Sequence, residues 1–355
     1  MKYETLGEHL RLADTRNVDM TVDRLLGISI DKYFMPSVAN IIGTDLSNYK
    51  CIIKGQFACN PMHIGRDERL PIALYTEEEP AIVSPAYFLF QIIDERVLLP
   101  EYLMMWFRRA EFDRICWLKS DGSVRGGVTW DDFCEITLPL PSLEKQKSVV
   151  KSYQFITNRI LLKRRINDNL EATIETIYVA LFIENTAKEA WKKGTAFDVL
   201  TLQRGHDLPK TLMKEGQYPV IGSTGVIGYH NQFTTNAPLI ALGRSGNIGK
   251  PQYYQTDCWA HNTCLYVKEF RSVPLWAFYM LKHINYDSFT GGSAVPTLNR
   301  NFVHAQEIII PPSEIQDDFA RKITSFIDTI NYNRQEIDKL HTMQGILFSR
   351  MAISL

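Results

Sequence analysis

No stretch of the 355-residue chain approaches the roughly eighteen consecutive apolar residues that a membrane-spanning helix requires. The opening residues, Met1-Lys2-Tyr3-Glu4-Thr5, lead into a polar, strand-like pattern without a signal-peptide apolar core. These two absences predict a cytoplasmic protein with no membrane partner. Cysteine is sparse: Cys51, Cys59, Cys116, Cys134, Cys258 and Cys264 are scattered, and no C-x-x-C pair occurs. Such cysteines read as reduced, small buried hydrophobes rather than a disulfide framework. The eight histidines form no ligand pair at helical spacing, so no metal is expected. An excess of charge is also missing: 39 Lys and Arg face 40 Asp and Glu, for a net charge of −1. That balance neither supports nor excludes a polyanionic partner, because binding depends on where charge lies.

Catalytic motifs are lacking as well. Asn60-Pro61-Met62-His63 approaches an N-P-P-aromatic methyltransferase signature, but the second proline and the stacking ring are absent. The segment Gly243-Arg244-Ser245-Gly246-Asn247-Ile248-Gly249-Lys250 superficially resembles a phosphate loop. Its first required glycine falls on Arg244, and Pro251 stands where a magnesium-binding hydroxyl belongs. No acidic pair followed by Glu-x-Lys marks a nuclease. The chain therefore reads as having no chemistry of its own and no cofactor.

What is present is a repeat. Leu138-Pro139-Leu140-Pro141-Ser142-Leu143-Glu144-Lys145-Gln146 returns 170 positions later as Ile309-Ile310-Pro311-Pro312-Ser313-Glu314-Ile315-Gln316. Each copy ends a β-like apolar run and opens a helical pattern, with a glutamate in the first turn where the helix dipole favours it. Between the copies, Pro274 to Leu281 mirrors a helix predicted over Pro100 to Phe112, each opened by proline, and Gly292-Ser293 mirrors Gly122-Ser123. After each turn, apolar residues recur at steps of three, four and seven without a proline: Val150, Ile156, Ile160, Leu170, Ile174 and Ile177, then Phe319, Ile323, Ile330, Ile337, Leu340 and Leu347. This is a coiled-coil seam, and forty helical residues reach roughly 60 Å. Two burials are open to such stripes, against each helix's own globular half or against each other. Matched length and aligned seams (Ile160 with Ile330, Leu170 with Leu340) favour antiparallel pairing as a spacer. Polar breaks at Lys163-Arg164-Arg165 and Asn333-Arg334 suit fixing its register.

Two Pro-rich turns, two long helices and two globular halves together resemble the specificity subunit of Type I restriction-modification systems, over essentially the whole chain. The first turn is similar to that family's "hydrophobic-P-L-P-x-L-E-x-Q" entry to its central helix; the second is one residue shorter but keeps Pro, Glu and Gln. Tyr218 to Tyr229, Ile240 to Gly249 and Trp259 to Thr263 resemble stretches of the family's target-recognition domains, and the first half resembles another subtype. The resemblance implies an α/β fold: two mixed α/β target-recognition domains separated by two long antiparallel helices, with a pseudo-twofold internal repeat. Its expected boundaries are recognition domain 1 over 1–142, the central helix over 143–190, recognition domain 2 over 191–312 and the distal helix over 313–355. It implies a non-catalytic subunit in which each half reads one half-site of an asymmetric bipartite double-stranded DNA target. The partners implied are two adenine methyltransferase subunits and restriction translocase-nuclease subunits. A specificity subunit of a Type IIB-like system and a coiled-coil scaffold with no DNA role are the alternatives.

Candidate DNA-contacting residues follow from glycine-rich, polar loops, where a backbone without side chains can approach a groove. In the second half these are Ser223, Thr224, Tyr229 and His230, then Arg244, Ser245, Asn247 and Lys250, with Ser293 beyond. Arg suits bidentate contact to guanine and Asn to adenine, whereas Ser223 and Thr224 equally suit a turn. In the first half they are Lys54, Asn60, Arg66, Arg69, Ser123 and Arg125. Glu77-Glu78-Glu79 would repel phosphate, and His261 reads as a hydrogen-bonded core histidine. The spacer residues are Ile160, Leu170, Ile177, Ile330, Leu340 and Leu347.

Overall fold

Both copies of the Pro-rich motif fold on one plan, and each glutamine explains why. The computed structural model describes residues 2–38, 43–62, 64, 68–120, 127–286 and 297–352. Arg66, Ser123, Arg125 and Ser293, all candidate DNA contacts, lie outside them, as does His63. The chain divides into one unit of residues 1–163 with 335–355 and another of residues 164–334.

In the first unit the helices are α1 (Pro100–Phe107), α2 (Ala110–Lys119), α3 (Trp130–Cys134) and the long α4 (Leu143–Tyr178), which continues into the second unit. Strand Thr137–Leu140 pairs antiparallel with Lys2–Thr5 and delivers the chain to α4. There Gln146 is fully buried. Its Oε1 accepts from the Leu99 N–H at 2.9 Å, and its Nε2 donates to the Val97 and Pro141 carbonyls at 2.8 and 3.0 Å. Leu99 is the residue before Pro100, so the glutamine satisfies an orphan donor at the entry to α1. Above α1 lies a four-stranded antiparallel sheet in the order Leu10–Leu12, Phe88–Ile92, Phe57–Cys59, Ile72–Leu74. Its apolar face supplies Phe57 and Phe90, stacked at 5.2 Å, to a core shared with Phe107, Phe112 and Phe133.

The helix expected over Pro100 to Phe112 is broken at Arg108-Arg109, where Arg109 turns extended (φ −78, ψ 142) and starts α2. The cause is long-range. Buried Lys32, in the left-handed region at φ 67, donates its Nζ to the Phe107 carbonyl and to Asp113 Oδ1, the latter at 2.7 Å. That ammonium takes the terminal carbonyl of α1, and Asp113 also accepts from the Leu70 N–H at 3.0 Å. Burial lowers the Lys32 pKa, and the Asp113 carboxylate beside it opposes that shift.

The second unit repeats this plan with α5 (Ala196–Val199), α6 (Pro274–Lys282), α7 (Arg300–His304) and the long α8 (Ser313–Ala352), which ends in the first unit. Glu307–Ile310 pairs antiparallel with Lys192–Thr195. Buried Gln316 accepts from the Val273 N–H at 3.1 Å, directly before Pro274, and donates to the Pro311 carbonyl at 2.8 Å. A four-stranded antiparallel sheet again follows, in the order Leu200–Arg204, Cys264–Phe270, Leu239–Gly243, Pro251–Tyr254. This unit adds a three-stranded sheet of Gly225–His230, Tyr218–Gly222 and Trp259–Ala260.

The long helices realise both burials open to them. In the first unit α4 and α8 meet through Ile156, Ile160, Ile337 and Leu340, while Val150 and Leu347 pack on the globular core. In the second, Leu170, Ile174, Ile177 and Ile330 join a core with Phe319, Ile323 and Trp276. Partners run in opposite directions: Tyr153 with Phe348 and Thr157 with Gln344 in the first unit, Asn167 with Asn333 and Glu171 with Arg334 in the second. The helices are therefore antiparallel, and Ile160 meets Ile337 and Leu340 rather than its sequence equivalent Ile330. A buried polar pair forms where Asn333 Nδ2 donates to Asn167 Oδ1 at 2.7 Å; the polar breaks read from sequence include Asn333 but place the other at Lys163 to Arg165 rather than at Asn167. Lys163 and Arg159 instead reach Glu336 and hold its carboxyl below the usual range.

Replacing either glutamine by alanine should leave a buried amide N–H and carbonyl oxygen unmatched, destabilising that unit by about 1–3 kcal/mol. Gln146→Glu should cost more than Gln146→Ala, since a carboxylate would face the Val97 and Pro141 carbonyls. Urea unfolding of the two variants checks this; equal stabilities for Ala and Glu would reject the donor role of Nε2.

Candidate nucleic-acid interface

Glycine shapes the exposed loops of the second unit. Tyr218–Gly222 and Gly225–His230 form a hairpin whose two-residue tip is Ser223-Thr224. Gly225 leaves the tip at φ 122, a conformation other residues rarely adopt. The next loop, 244–250, joins antiparallel strands Leu239–Gly243 and Pro251–Tyr254 rather than leading into a helix, so it has no phosphate-loop geometry. It curls tightly: the Gly249 N–H donates to the Gly243 carbonyl at 3.0 Å, and a Cβ on Gly243 would sit 1.6 Å from the Asn247 carbonyl oxygen.

The two loops are joined. Asn247 Nδ2 and Gln252 Nε2 donate to the Ser223 carbonyl at 3.3 and 3.4 Å. Arg244 is fixed through its backbone, donating to the Thr263 carbonyl at 3.0 Å and accepting from the Leu298 N–H at 2.8 Å. Its half-exposed guanidinium has no hydrogen bond or ion pair among the described residues. Ser245 bridges to Thr297. Thr224, Asn247 and exposed Lys250 line one groove of about 450 Å³ with Tyr254, Lys282 and Arg334. Thus Ser223, Thr224, Arg244, Ser245, Asn247 and Lys250 form one polar, cationic edge.

Tyr229 and His230 lie at the far end of their strand from that tip. Tyr229 is exposed, whereas His230 is buried, accepting from the Lys214 N–H at 3.0 Å and meeting Trp259 edge-on. His261 makes the hydrogen bonds expected of it, to Thr263 Oγ1 at 3.0 Å and from its N–H to the Ile221 carbonyl at 2.9 Å.

In the first unit the candidates are spread more widely. Lys54 is exposed and ion-paired with Glu78, and Glu77 is paired with Arg24, so the acidic run carries its own counter-charges. Asn60 is half-buried, its Oδ1 accepting from the Met62 N–H at 3.1 Å. Arg69 pairs with Asp31 at 3.1 Å, beside the anchored Lys32, and shares a groove of about 280 Å³ with Arg108. Sequence patterning missed Arg108 because its helical stripe gave no reason to separate it from a solvated face. Among the described residues, Glu4, Glu8 and His9 cluster as a metal could require. Their groups are already engaged, Glu4 by Lys2 and His9, and Glu8 by the Thr5 N–H. No helix of the described chain is long and apolar enough to cross a membrane.

Comparison with known proteins bears on this arrangement. Residues 188–342 match the family model of the Type I restriction modification DNA specificity domain. The Type I restriction enzyme EcoprrI specificity subunit of Escherichia coli is 22% identical over 156 residues, covering 42% of this chain and 39% of that relative's length. The crystal structure of a Type I restriction-modification system S subunit from M. genitalium superposes over 99% of this chain and 95% of that one, with a TM-score of 0.68 at 12% identity. That superposition shows a common fold, including the paired long helices. Residues 188–342 thus match the Type I specificity domain in sequence, and the whole chain shares the fold of a solved Type I S subunit.

Proposed function

We propose that this chain is the non-catalytic DNA-recognition subunit of a Type I restriction-modification complex. Target-recognition domains over 1–142 and 191–312 each read one half-site of an asymmetric bipartite sequence. The helical segments over 143–190 and 313–355 set the spacer and dock two adenine methyltransferase subunits, which translocase-nuclease subunits join. The observation that carries this reading is the contrast within the repeat. Strand pairing, glutamine contact and Pro-opened helix are the same in both units, while the polar loops differ. Two readers on one scaffold need that division, since base edges specify and the scaffold only positions. The family model and the curated relative both name Type I systems, which favours that assignment over a Type IIB-like one.

Within the second domain, the edge of Ser223, Thr224, Arg244, Ser245, Asn247 and Lys250 would enter the groove. Tyr229 is suited to its flank, and buried His230 would support the hairpin from beneath. In the first domain Lys54, Asn60 and Arg69 would contact DNA, the two cations after exchanging their carboxylate partners for phosphates, alongside Arg66, Ser123 and Arg125. Methyl transfer to a flipped adenine would occur in the partner's pocket.

Methylome sequencing of a host expressing this chain with its methyltransferase tests the whole reading, and a bipartite adenine-methylation motif is the expected result. Methylation without such a motif would sink it. If Arg244 reads a guanine, Arg244→Ala should relax or abolish one half-site at a cost of about 1–3 kcal/mol. Lys250→Ala should instead weaken binding uniformly and flatten its salt dependence. Four residues inserted into each long helix add roughly 6 Å, which should lengthen the recognised spacer by about two base pairs. A folded variant with an unchanged spacer would reject the measuring role of the helices.

A further inference from the structure

We propose that Arg108 and Lys282 are matched contacts to DNA phosphates, one in each unit. The inference rests on the DNA-binding reading above and adds two contacts that sequence patterning did not find. Arg108 stands eight residues after Pro100 and Lys282 eight residues after Pro274, so the two occupy the same place at the ends of α1 and α6. Around them the helices have diverged: Met104 matches Phe278, Met105 matches Tyr279, and Glu101 matches Leu275. A positive charge persists where size and polarity otherwise changed.

Both cations are exposed on helices that are otherwise almost wholly buried. Both are steadied by aromatic rings; Arg108 has no ion pair among the described residues, and that of Lys282 is long. The Arg108 guanidinium lies 5.8 Å from the Tyr153 ring centre and donates one N–H to its hydroxyl at 2.8 Å. The Lys282 ammonium lies 5.0 Å from the Tyr279 ring centre, with Glu175 at 3.9 Å. A cation over a ring keeps donors directed outward, which suits an anion arriving from solvent.

Each also opens onto its own unit's candidate reading surface. Arg108 shares a groove with Arg69, and Lys282 shares one with Thr224, Asn247 and Lys250. A favourable interaction with the helix dipole accounts for a cation at a helix C-terminus but not for its placement in these grooves. The ligand chemistry follows from the repeat. The two half-sites differ in bases and share only the sugar–phosphate backbone, so a charge kept at matched positions of two different readers suits phosphate.

The test uses the full chain with its methyltransferase subunits and a duplex carrying the methylated site. Arg108→Gln and Lys282→Gln should each reduce the magnitude of the negative slope of log affinity against log salt by about 0.9, and the double variant by about 1.8. The methylation motif should stay unchanged, and Arg108→Lys and Lys282→Arg should restore most of the slope. As a check independent of folding, neutral methylphosphonates scanned along the duplex should reveal one position near each half-site that weakens the wild-type complex but not the matching Gln variant. An unchanged slope in the double variant, a changed base preference, or the absence of such positions would overturn the proposal while leaving DNA recognition intact. A wild-type complex that binds no duplex at all would instead overturn the DNA-binding reading, and this inference with it.

Discussion

Each unit depends on one side chain doing three things from a buried position. Gln146 caps the entry to α1, closes on the carbonyl of the Pro-rich turn and thereby fixes the direction in which α4 leaves the globular core. Gln316 holds α6 and α8 in the same way. A leucine could fill the space but would strand the N–H of Leu99 or Val273, and a buried amide without a partner is among the costlier defects a core can hold. The amide is needed because donor and acceptor must face different elements at once. The prolines around it set the backbone: Pro141 and Pro311 follow the strand ends, and Pro100 and Pro274 pre-form the first turns of α1 and α6 without asking for a hydrogen bond. The repeated motif is therefore a joint whose polar centre and rigid flanks are physically inseparable.

From that joint the rest of the scaffold follows twice. The first strand of each unit pairs with the strand before the turn, and its end is held the same way. The Leu6 N–H donates to the Ile136 carbonyl at 2.8 Å, and the Ala196 N–H to the Gln306 carbonyl at 2.9 Å. Thr5 and Thr195 each donate their N–H to an acidic side chain three residues on, Glu8 and Asp198. None of these bonds involves an exposed loop, so the loops are free to differ. The second unit uses that freedom for a three-stranded sheet and a glycine-closed polar edge. The first uses it for the hairpin Leu26–Ile28 with Phe34–Pro36 and for buried Lys32, which takes the terminal carbonyl of α1.

Sequence legibility divides along the same line. The Pro-rich turns, the apolar seams and the Pro-opened helices were readable because each depends on local spacing. Gln146 and Gln316 were visible as repeated letters, but their role was not, since Val97, Leu99 and Val273 are more than forty positions away. The break at Arg108-Arg109 was invisible for the same reason: its cause, Lys32, comes from 75 residues earlier. Asn167 escaped notice because a lone asparagine in a helix usually faces solvent, and only Asn333 across the pair makes it structural. At the candidate interface, glycine spacing pointed to two loops of the second unit that the structure joins through the Ser223 carbonyl. It could not separate Tyr229 and His230 from the tip, because a strand carries residues away from its hairpin in a direction that patterning alone does not scale.

The near-zero net charge also has a local explanation. Many exposed cations near the candidate surfaces already hold a carboxylate: Lys54 with Glu78, Arg69 with Asp31, Lys282 with Glu175, and Arg334 with Glu171. Exposed pairs of this kind contribute only about 0–1 kcal/mol, so a phosphate can displace the carboxylate at little cost. Until it does, the pairing damps the long-range field that would draw the chain onto any nucleic acid. A reader built this way loses non-sequence-specific affinity first, and what remains is weighted toward side chains such as Arg244 that no carboxylate pre-empts among the described residues. Under the DNA-recognition reading proposed above, balanced charge is then part of how selectivity is obtained.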